Sequence, residues 1–323
     1  MEGNWKDRIG ELMYFFHPKT IRVPGKKLPY EEQIRNLKEQ INTADAIVIG
    51  AGSGLSTAAG LTYSGERFQK YFFDFAKKYP IRDMYSGGFY PFEDMEVFWA
   101  WWSRHIYFNR YMDAPSDVYG NLKKLVDGRD YFVLTTNVDH QFQRAGFEKK
   151  RLFYTQGDYG LLQSSHPSVA KTYENQEIVE KMLKAQGFVR NKNGVFQVPE
   201  DGQIRMRIPS ELIPLCPDDG LPMITNLRAD DFFVEDEGWH QAASRYQEYL
   251  QNHEGQHILY LELGVGMNTP VIIKFPFWRY TEENENAYYA CLNYGEAGCS
   301  EAIVERSICM DENIAQVLRD LLS

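Results

Sequence analysis

An amide and a carboxylate follow directly on an apolar segment near the middle of the chain. Tyr131–Thr136 has the aromatic and apolar residues of a buried strand, and Asn137 and Asp139 come immediately after it. Parallel sheets hold their ligands at the carboxyl ends of their strands. An amide offers donors and an acceptor, and a carboxylate offers negative charge. We take Asn137 and Asp139 as candidate catalytic residues; the alternative is an Asx turn that starts the next helix.

A glycine-rich stretch gives a second chemical signal. Ala46–Ile49 is a short apolar run typical of a buried parallel strand, glycines follow at 50, 52 and 54, and a small-residue segment then begins a helix. Glycines let a phosphate approach the backbone, and the N–H groups of a first helical turn point at it. The stretch therefore indicates a site for a diphosphate-bearing nucleotide. By itself it is a weak motif, because a buried strand ending in a tight turn has the same pattern.

Composition narrows the class of protein. The chain has 323 residues, of which 43% are hydrophobic, so we expect one large domain and a smaller one. Its net charge of −10 argues against nucleic acid or an anionic membrane as partner, and no apolar run approaches the ~20 residues of a spanning helix. The N-terminus lacks the apolar core of a signal peptide. The four cysteines form no Cys-x-x-Cys pair, so the sequence predicts a cytoplasmic protein without a disulfide scaffold or a metal clip.

Helices are predicted on both sides of the glycine stretch. Residues 1–43 are expected to be helical, and Tyr30–Ile41 places its apolar residues on one stripe. Residues 62–120 contain many aromatic residues but little Val or Ile, whereas an ordinary dinucleotide fold has a strand and a ribose-binding acid about 20 residues after its glycines. We interpret 62–120 as a helical insertion whose aromatic residues form core rather than a cofactor stack.

The second half of the chain changes character twice. After a predicted strand at Arg151–Tyr154, residues 158–255 are dominated by polar turns and charges, which indicates a smaller inserted domain. Sheet character then returns, and the chain ends in an amphipathic helix. The apolar segments of this last part are 257–266, 269–276 and 288–293, and the terminal helix is 313–322. The parallel-sheet domain is thus predicted to comprise 44–157 and 256–323.

Four motifs, taken in order, resemble those of the sirtuin family. Gly52-Ser-Gly-Leu-Ser-Thr-Ala-Ala-Gly60-Leu is similar to the family's Gly-Ala-Gly-x-Ser-x-x-x-Gly-Ile loop. Thr135-Thr-Asn137-Val-Asp139-His-Gln-Phe-Gln-Arg-Ala-Gly146 is similar to its Thr-Gln-Asn-Ile-Asp-x-Leu-His-x-x-Ala-Gly signature. Gly264-Val-Gly266-Met resembles the Gly-Thr-Ser-Leu turn, and Leu292-Asn293 resembles the Ile-Asn pair that holds the adenosine ribose. These motifs cover most of the chain, from residue 44 to about residue 310.

The resemblance implies an α/β fold: a doubly wound Rossmann-like parallel sheet with a helical insertion and a second, smaller inserted domain, which binds NAD as cofactor. The cofactor-binding residues that it implies are Gly50, Ala51, Gly52, Ser53, Gly54, Leu55, Ser56, Ala59, Arg67, Thr136, Asn137, Asp139, Gln156, Gly264, Val265, Gly266, Asn268, Asn293 and Tyr294.

Departures from the family pattern suggest a particular branch. Where deacylases of the family have Leu-His-Gly, this chain has Thr155-Gln156-Gly157, and Thr62–Phe68 replaces Pro-Asp-Phe-Arg. Cys216-Pro-Asp-Asp219-Gly resembles a decayed half of the family's zinc site and the other half has no counterpart, so we expect no zinc. These changes resemble the macrodomain-associated (class M) microbial sirtuins. That resemblance implies a protein ADP-ribosyltransferase that acts on a lipoylated carrier protein of the glycine-cleavage H type, with a functional link to a macrodomain hydrolase.

Acid–base chemistry supports this branch. The reaction begins by breaking the bond between nicotinamide and ribose, and oriented dipoles and negative charge from Asn137 and Asp139 can stabilise the departing centre. A deacylase must then remove a proton from a ribose hydroxyl, which imidazole can accept and the amide of Gln156 cannot. Transfer to a protein nucleophile avoids that step, and Gln156 can still hydrogen-bond the ribose. The alternatives are an NAD glycohydrolase, a divergent NAD-dependent deacylase and a non-catalytic NAD or ADP-ribose sensor.

Other polar or aromatic residues carry weaker expectations. Phe232, Phe233 and Glu235 are predicted either to line the acceptor cleft between the domains or to form a plain edge strand. Ser53 and Ser56 are expected to cap a helix rather than to act in catalysis. His140 is expected to face solvent.

Overall fold

The computed structural model describes residues 21–166, 168–267 and 270–323. The helix predicted within residues 1–20 and the expected cofactor contact of Asn268 lie outside the described residues. Among the described residues, no helix combines the length and the apolar character that crossing a membrane requires. The cytoplasmic location stays a prediction.

The strands are, in chain order, β1 (Arg22–Val23), β2 (Ala46–Ala51), β3 (Tyr131–Thr135), β4 (Leu152–Tyr154), β5 (Gly157–Ser164), β6 (Tyr173–Glu174), β7 (Val189–Arg190), β8 (Phe196–Gln197), β9 (Met223–Leu227), β10 (Ile258–Leu263), β11 (Tyr288–Leu292), β12 (Cys299–Ser300) and β13 (Ser307–Met310). The α-helices are α1 (Tyr30–Thr43), α2 (Ser53–Ala58), α3 (Glu66–Lys78), α4 (Met84–Gly88), α5 (Met95–Ile106), α6 (Val118–Val126), α7 (Gln141–Arg144), α8 (Gln176–Gln186), α9 (Glu237–Asn252), α10 (Lys274–Glu283) and α11 (Ile314–Leu322).

The central element is a six-stranded parallel sheet with the order β13-β11-β10-β2-β3-β4. The chain builds outward in one direction from β2 to β4 and in the other from β10 to β13. The winding direction therefore changes between β2 and β10, which is where doubly wound sheets bind ligands. The strands β2, β3 and β10 end at the same level, because Ala51 of β2 pairs with Leu263 of β10 on one side and with Thr135 of β3 on the other. The predicted doubly wound fold class is confirmed.

Helices cover both faces of this sheet, as the unbroken burial of its strands requires. Side chains alternate along each strand: Ile47 and Ile49 point toward α1, α6 and α11, whereas Val48 points toward α9 and α10. The helix α11 begins at its cap Asn313, whose side chain accepts a hydrogen bond from the backbone of Gln316. Because helices cover both faces of the sheet, a ligand can reach it at the carboxyl ends of its strands.

A second hydrophobic core lies apart from the sheet and is strongly aromatic. It joins α3, α4 and α5 to β5, α8 and the segment up to Met223. Fully buried Trp99 and Trp101 belong to it. The antiparallel sheet β6-β5-β9 and the hairpin β7-β8 lie in the same part of the chain. The aromatic residues at 62–120 are core residues, as expected, but they share this core with the smaller domain.

Arg104 lies inside this aromatic core and is 0% exposed. Its guanidinium donates to both carboxylate oxygens of Asp74, at 2.6 and 2.9 Å, and to Gln186 Oε1 at 2.7 Å. It also donates to two backbone carbonyls, those of Tyr71 and Arg205. A buried charge is tolerated only when it is paired and fully hydrogen-bonded, and Arg104 meets that condition.

Two local predictions and one alternative are wrong, and one boundary needs a new proposal. Residues 21–29, which were expected to be helical, contain the strand β1 and irregular chain, and the helix begins only at Tyr30. Residues 270–273 form turns that lead into α10 and not a strand. Lys274 is the first residue of α10, and its buried Nζ lies 2.5 Å from Glu262 Oε1. The segment containing Phe232 and Phe233 is a loop, not an edge strand. The helix α9 packs on the parallel sheet through Trp239 and Tyr246. The domain boundaries remain predictions, and this packing leads us to propose that the smaller domain ends near residue 236 rather than 255.

Candidate active site

Two glycine loops interlock at the middle of the sheet edge. Gly54 N donates to Gly264 O at 2.9 Å, which joins the loop after β2 to the loop after β10. A Cβ on Gly264 would lie 2.5 Å from Gly54 Cα, and Gly264 has a φ of +62°, which favours glycine. A Cβ on Gly52 would lie 2.7 Å from Gly264 O. The glycines therefore let the two loops approach each other closely, and the loop after β2 leads directly into the N-terminus of α2, the arrangement that suits a dinucleotide phosphate.

Asn137 fastens the end of β3 to the first of these loops. Its backbone N–H donates to Thr135 Oγ1 at 3.0 Å, and its side-chain Nδ2 donates to Gly52 O at 2.9 Å. The second amide hydrogen points toward Tyr119 Oη at 3.4 Å. With both N–H bonds directed into the protein, Oδ1 is the atom that half-buried Asn137 can offer to a ligand.

Asp139 lies at the end of a buried hydrogen-bond chain. Ser56 Oγ donates to Asp139 Oδ2 at 2.5 Å, and Tyr119 Oη lies 2.9 Å from Ser56 Oγ. Gln141 N donates to the other carboxylate oxygen. Burial raises the pKa of the Asp139 carboxyl above its ordinary value, although the Ser56 hydrogen bond works in the opposite direction. Asn137, Tyr119, Ser56 and Asp139 thus form one polarised network.

This network corrects the expectation that Ser53 and Ser56 cap a helix. The cap of α2 is Gly52, which has no side chain for capping, and Ser53 is the first helical residue. Ser56 lies in the body of the helix and binds Asp139 instead. The sequence analysis also missed Tyr119, because a tyrosine in an amphipathic helix carries no signal of a contact with a residue so far away in the chain.

Gln156 follows the neighbouring strand at the same edge. Thr155 N donates to Thr135 O at 2.9 Å, which places the turn beside the end of β3. The carbonyl of Gln156 accepts from Arg228 N at 3.0 Å, and its side chain is half-buried. Arg228 was missed in the sequence analysis, since an isolated arginine in a charged segment has no distinguishing pattern.

A cleft of about 290 Å³ opens next to this turn. Its lining residues are Ala170, Arg228, Asp230, Asp231, Phe233, Val234, Glu235 and His240. The Arg228 guanidinium lies 4.3 Å from the centre of the Phe233 ring and donates to Glu235 Oε1 at 2.5 Å. Phe232, which precedes Phe233 in the chain, is 52% exposed. Phe232, Phe233 and Glu235 therefore lie together beside the Gln156 turn.

His140 does not simply face solvent, which corrects another expectation. It has a left-handed backbone, with φ of 62°, and its Nδ1 lies 2.7 Å from Asp158 Oδ2. Arg110 Nε donates to Asp158 Oδ1 at 2.7 Å. Burial opposes ionisation of Asp158, but His140 and Arg110 outweigh it and lower the pKa of its carboxyl.

Several residues expected to bind cofactor have side chains, or space for a side chain, that contact the protein itself, and their cofactor contacts stay predictions. Leu55 and Ala59 are 0% exposed and belong to the core between α2 and the sheet. Gly50 lies inside β2, where a Cβ would meet Ile273 and Phe277 at 2.4 and 2.5 Å, so its role is helix packing. The guanidinium of Arg67 donates to the carbonyls of Thr62 and Phe108 and to an amide oxygen.

The remaining expected contacts lie at the ends of the strands. Ala51 is buried, and its carbonyl accepts from the backbone of half-buried Thr136. Buried Asn293 donates to the carbonyl of buried Val265 at 3.0 Å and so joins the ends of β10 and β11. The exposed or half-buried residues next to them are Ser53, Gly266 and Tyr294.

No group of three or more His, Cys, Asp or Glu side chains is arranged to hold a metal ion within residues 21–166, 168–267 and 270–323. Cys216 is buried, and its Sγ lies 3.5 Å from Tyr173 Oη. The absence of zinc remains a prediction.

Comparison with solved structures defines the class. A Sir2 protein bound to a propionylated peptide has a TM-score of 0.51 at 17% identity, and the alignment covers 88% of this chain and 95% of that one. A Sir2 homologue in complex with 2′-O-acetyl ADP ribose has a TM-score of 0.54 at 14% identity, with 89% and 94% covered. The fold is that of a sirtuin. No family model matches the sequence.

Sequence relatives define the family. The chain is 39% identical over 293 residues to a protein ADP-ribosyltransferase of Staphylococcus aureus (strain Mu50), which covers 90% of this chain and 87% of that protein. It is 30% identical over 269 residues to a probable bifunctional ADP-ribose hydrolase/ADP-ribosyltransferase of Fusarium oxysporum f. sp. cubense, covering 80% of this chain and 42% of that protein. The chain belongs to the sirtuin-type protein ADP-ribosyltransferases, and it is an NAD-dependent enzyme.

Proposed function

We propose that this enzyme transfers ADP-ribose from NAD to a lipoylated carrier protein of the glycine-cleavage H type and releases nicotinamide. The observation that carries the proposal is Gln156, which stands where deacylases of the family have histidine and whose carbonyl binds the backbone of Arg228, a lining residue of the cleft. An amide cannot accept the ribose proton that deacylation removes, and losing a general base costs about 10²–10⁴ in rate. Transfer to an acceptor that brings its own nucleophile does not need that base.

We assign the chemistry at the donor sugar to Asn137 and Asp139, with Gln156 as a hydrogen-bonding partner of the ribose. Bound NAD supplies an ADP-ribosyl group and a leaving nicotinamide. Asn137 Oδ1 accepts from the sugar, and the buried carboxylate of Asp139 adds negative charge where positive charge develops. Ser56 and Tyr119 hold that carboxylate in place.

We place the acceptor in the cleft that Phe233 and Glu235 line, with exposed Phe232 next to them in the chain. The support is chemical: the Phe233 ring offers apolar surface for the aliphatic arm of a lipoyl-lysine, and Arg228 and Glu235 offer polar contacts. The acidic residues Asp230 and Asp231 at the rim favour an acceptor whose surrounding surface carries positive charge.

We also propose a functional link to a macrodomain hydrolase that removes the modification. It is supported by the name of the Fusarium relative, which combines an ADP-ribose hydrolase with an ADP-ribosyltransferase. The match to this chain covers 42% of that protein.

Labelled NAD tests the proposed acceptor. The enzyme is incubated with purified H-type carrier, either lipoylated or unlipoylated, and both labelled carrier and free nicotinamide are measured. We expect labelling of the lipoylated carrier alone and little nicotinamide release without it. Equal release without carrier would identify a glycohydrolase, and release of acyl groups from acyl-lysine peptides would identify a deacylase. Binding of NAD with none of these reactions would identify a sensor.

A further inference from the structure

A histidine–carboxylate pair lies next to Asn137 and has no role in the chemistry assigned so far. His140 Nδ1 lies 2.7 Å from Asp158 Oδ2, and Asp158 is only 4% exposed. The Asp158 carboxylate also accepts from Arg110 Nε and from Gly160 N, at 2.7 and 2.6 Å. A Cβ on Gly160 would lie 2.1 Å from Arg110 Nε, so only glycine leaves room for this arrangement. The pair is rigidly held.

The contacts determine which imidazole nitrogen carries the proton. Arg110 and His140 lower the pKa of the Asp158 carboxyl, so this group is ionised and can only accept hydrogen bonds. His140 Nδ1 must therefore carry the proton in this contact, and the more distant Arg110 Nη2, at 3.3 Å, does not compete. In the tautomer with the proton on Nδ1, Nε2 is the proton acceptor, the arrangement used by histidine general bases.

The location of this imidazole suits a base in the transfer reaction. One small cavity is lined by Asn137, Asp139, His140, Tyr154 and Asp158. The His140 side chain is 27% exposed, so a proton that it accepts can reach solvent. The backbone of His140 adopts a left-handed conformation that is uncommon for residues other than glycine, and it aims the side chain toward Asp158.

We propose that His140, oriented by Asp158, is the general base that deprotonates the acceptor. This inference rests on the proposed transferase function and deepens it, because it requires an acceptor whose nucleophile carries a proton, such as a hydroxyl, an amine or a thiol. As the acceptor heteroatom forms its bond to C1′ of the ribose, the bond from C1′ to nicotinamide breaks and its electron pair leaves on nicotinamide. The proton of the acceptor moves to His140 Nε2, and Asp158 balances the resulting positive charge.

The decisive variant is His140→Asn. Asparagine tolerates the left-handed backbone and its amide can still donate to Asp158, but it is not a base. We expect transfer to the lipoylated carrier to fall by about 10²–10⁴-fold, with melting temperature and NAD affinity unchanged. His166→Asn, which changes an exposed histidine of the smaller domain, is the matched control and should transfer normally. Wild-type transfer by His140→Asn would overturn the proposal.

Two further measurements separate a base from a structural residue. His140→Gly keeps the backbone conformation and leaves space for a small molecule, so added imidazole should restore transfer; no restoration would count against a base. Diethyl pyrocarbonate should modify His140 in the NAD-free enzyme, ADP-ribose should protect it, and His166 should react equally in both cases. An unreactive or unprotected His140 would exclude Nε2 from the site.

Failure of the proposed acceptor can be told apart from failure of this inference. If wild-type enzyme does not label the carrier but hydrolyses NAD, the proposed acceptor is wrong. Water is then the proton-bearing nucleophile, and His140→Asn should slow hydrolysis by the same factor. Unchanged hydrolysis in that variant would overturn the role of His140 independently.

Discussion

The edge of the parallel sheet and the aromatic core contribute to the enzyme in opposite ways. At the sheet edge two loops meet through glycines that leave no space for a side chain, and Asn137 binds the backbone of one of these loops. In the aromatic core, Trp99, Trp101 and buried Arg104 fill the interior. The first region keeps the geometry that NAD requires. The second forms the aromatic core shared with the smaller domain, and the cleft in which we propose that the acceptor binds belongs to the same half of the chain.

The largest expected effect is in the aromatic core. Arg104→Met leaves Asp74 buried without its ion partner, so we expect the free energy of unfolding to fall by about 3–5 kcal/mol. Urea unfolding followed by tryptophan fluorescence measures it. Lys78→Met, which breaks an exposed ion pair with Glu93, is the control and should have little effect. Equal effects of the two variants would show that the core does not depend on Arg104.

The next effect is at the sheet edge. Asn137→Ala removes the acceptor Oδ1 and the tie to Gly52, and we expect transfer at saturating NAD to fall by about 100-fold. Calorimetry should show that most NAD affinity remains, and Asn193→Ala on an exposed turn should behave as wild type. Near-wild-type transfer would remove Asn137 from the mechanism. Loss of transfer with an equal loss of NAD binding would make it a positioning residue and move the catalytic assignment to Asp139.

The third effect tests a buried histidine within the aromatic core. His105 Nε2 lies 2.8 Å from Tyr159 Oη, which lies 2.7 Å from Tyr63 Oη. Burial, together with the charge of Arg67, lowers the pKa of His105 from 6.5 to about 3. The folded protein therefore binds this proton less tightly than the unfolded chain. The stability that neutral His105 contributes is complete above pH 6.5 and is lost as the pH falls toward 3.

The measurement for His105 is the free energy of unfolding at pH 7.5 and pH 5. We expect the wild type to lose about 2 kcal/mol more than His105→Gln between these values, since each pKa unit corresponds to about 1.4 kcal/mol. Glutamine can still hydrogen-bond Tyr159 but binds no proton. An identical loss in both proteins would mean that His105 does not titrate differently in the two states.

The smallest expected effect sharpens the role of the glycine loops. Gly264→Ala adds a Cβ against Gly54 and strains a positive φ, and we expect NAD affinity to fall about tenfold as the loops separate. Gly128→Ala is the control, because it also has a positive φ, of +75°, but no atom within 4 Å of the new Cβ. If both variants bound NAD equally well, close contact between the loops would not matter.

The sequence carried most of the information about the sheet and little about contacts across it. The apolar runs and glycine spacing around β2 and β3 predicted the strands correctly, because strand burial and tight turns leave local signals. The partnership of Ser56 with Asp139 joins residues 83 positions apart, and no local pattern encodes it. The same holds for His140 with Asp158, where a single left-handed residue redirects a side chain that was expected to face water.

Amphipathic helices show a similar limit. The pattern of α9 indicates that one face is buried, but it cannot say whether Trp239 packs on the sheet or on the smaller domain. The segment before Lys274 is as apolar as a strand, but it leads into a helix. The first residue of that helix, Lys274, forms a buried ion pair with Glu262, which lies 12 residues earlier in the chain. Sequence periodicity predicts burial, whereas the packing partner depends on the whole fold.

The pairing of β2 with β10 also sets an order of assembly during synthesis. His257 N donates to Asp45 Oδ2 across 212 residues of chain, and the two strands that start there carry both glycine loops. β2 leaves the ribosome long before its partner exists, whereas the aromatic core is complete once Met223 has emerged. Because nascent chains fold domain by domain, we expect the aromatic core to collapse first and the NAD site to close last. A chain that stalls between these points would be packed and stable in part, yet unable to bind NAD.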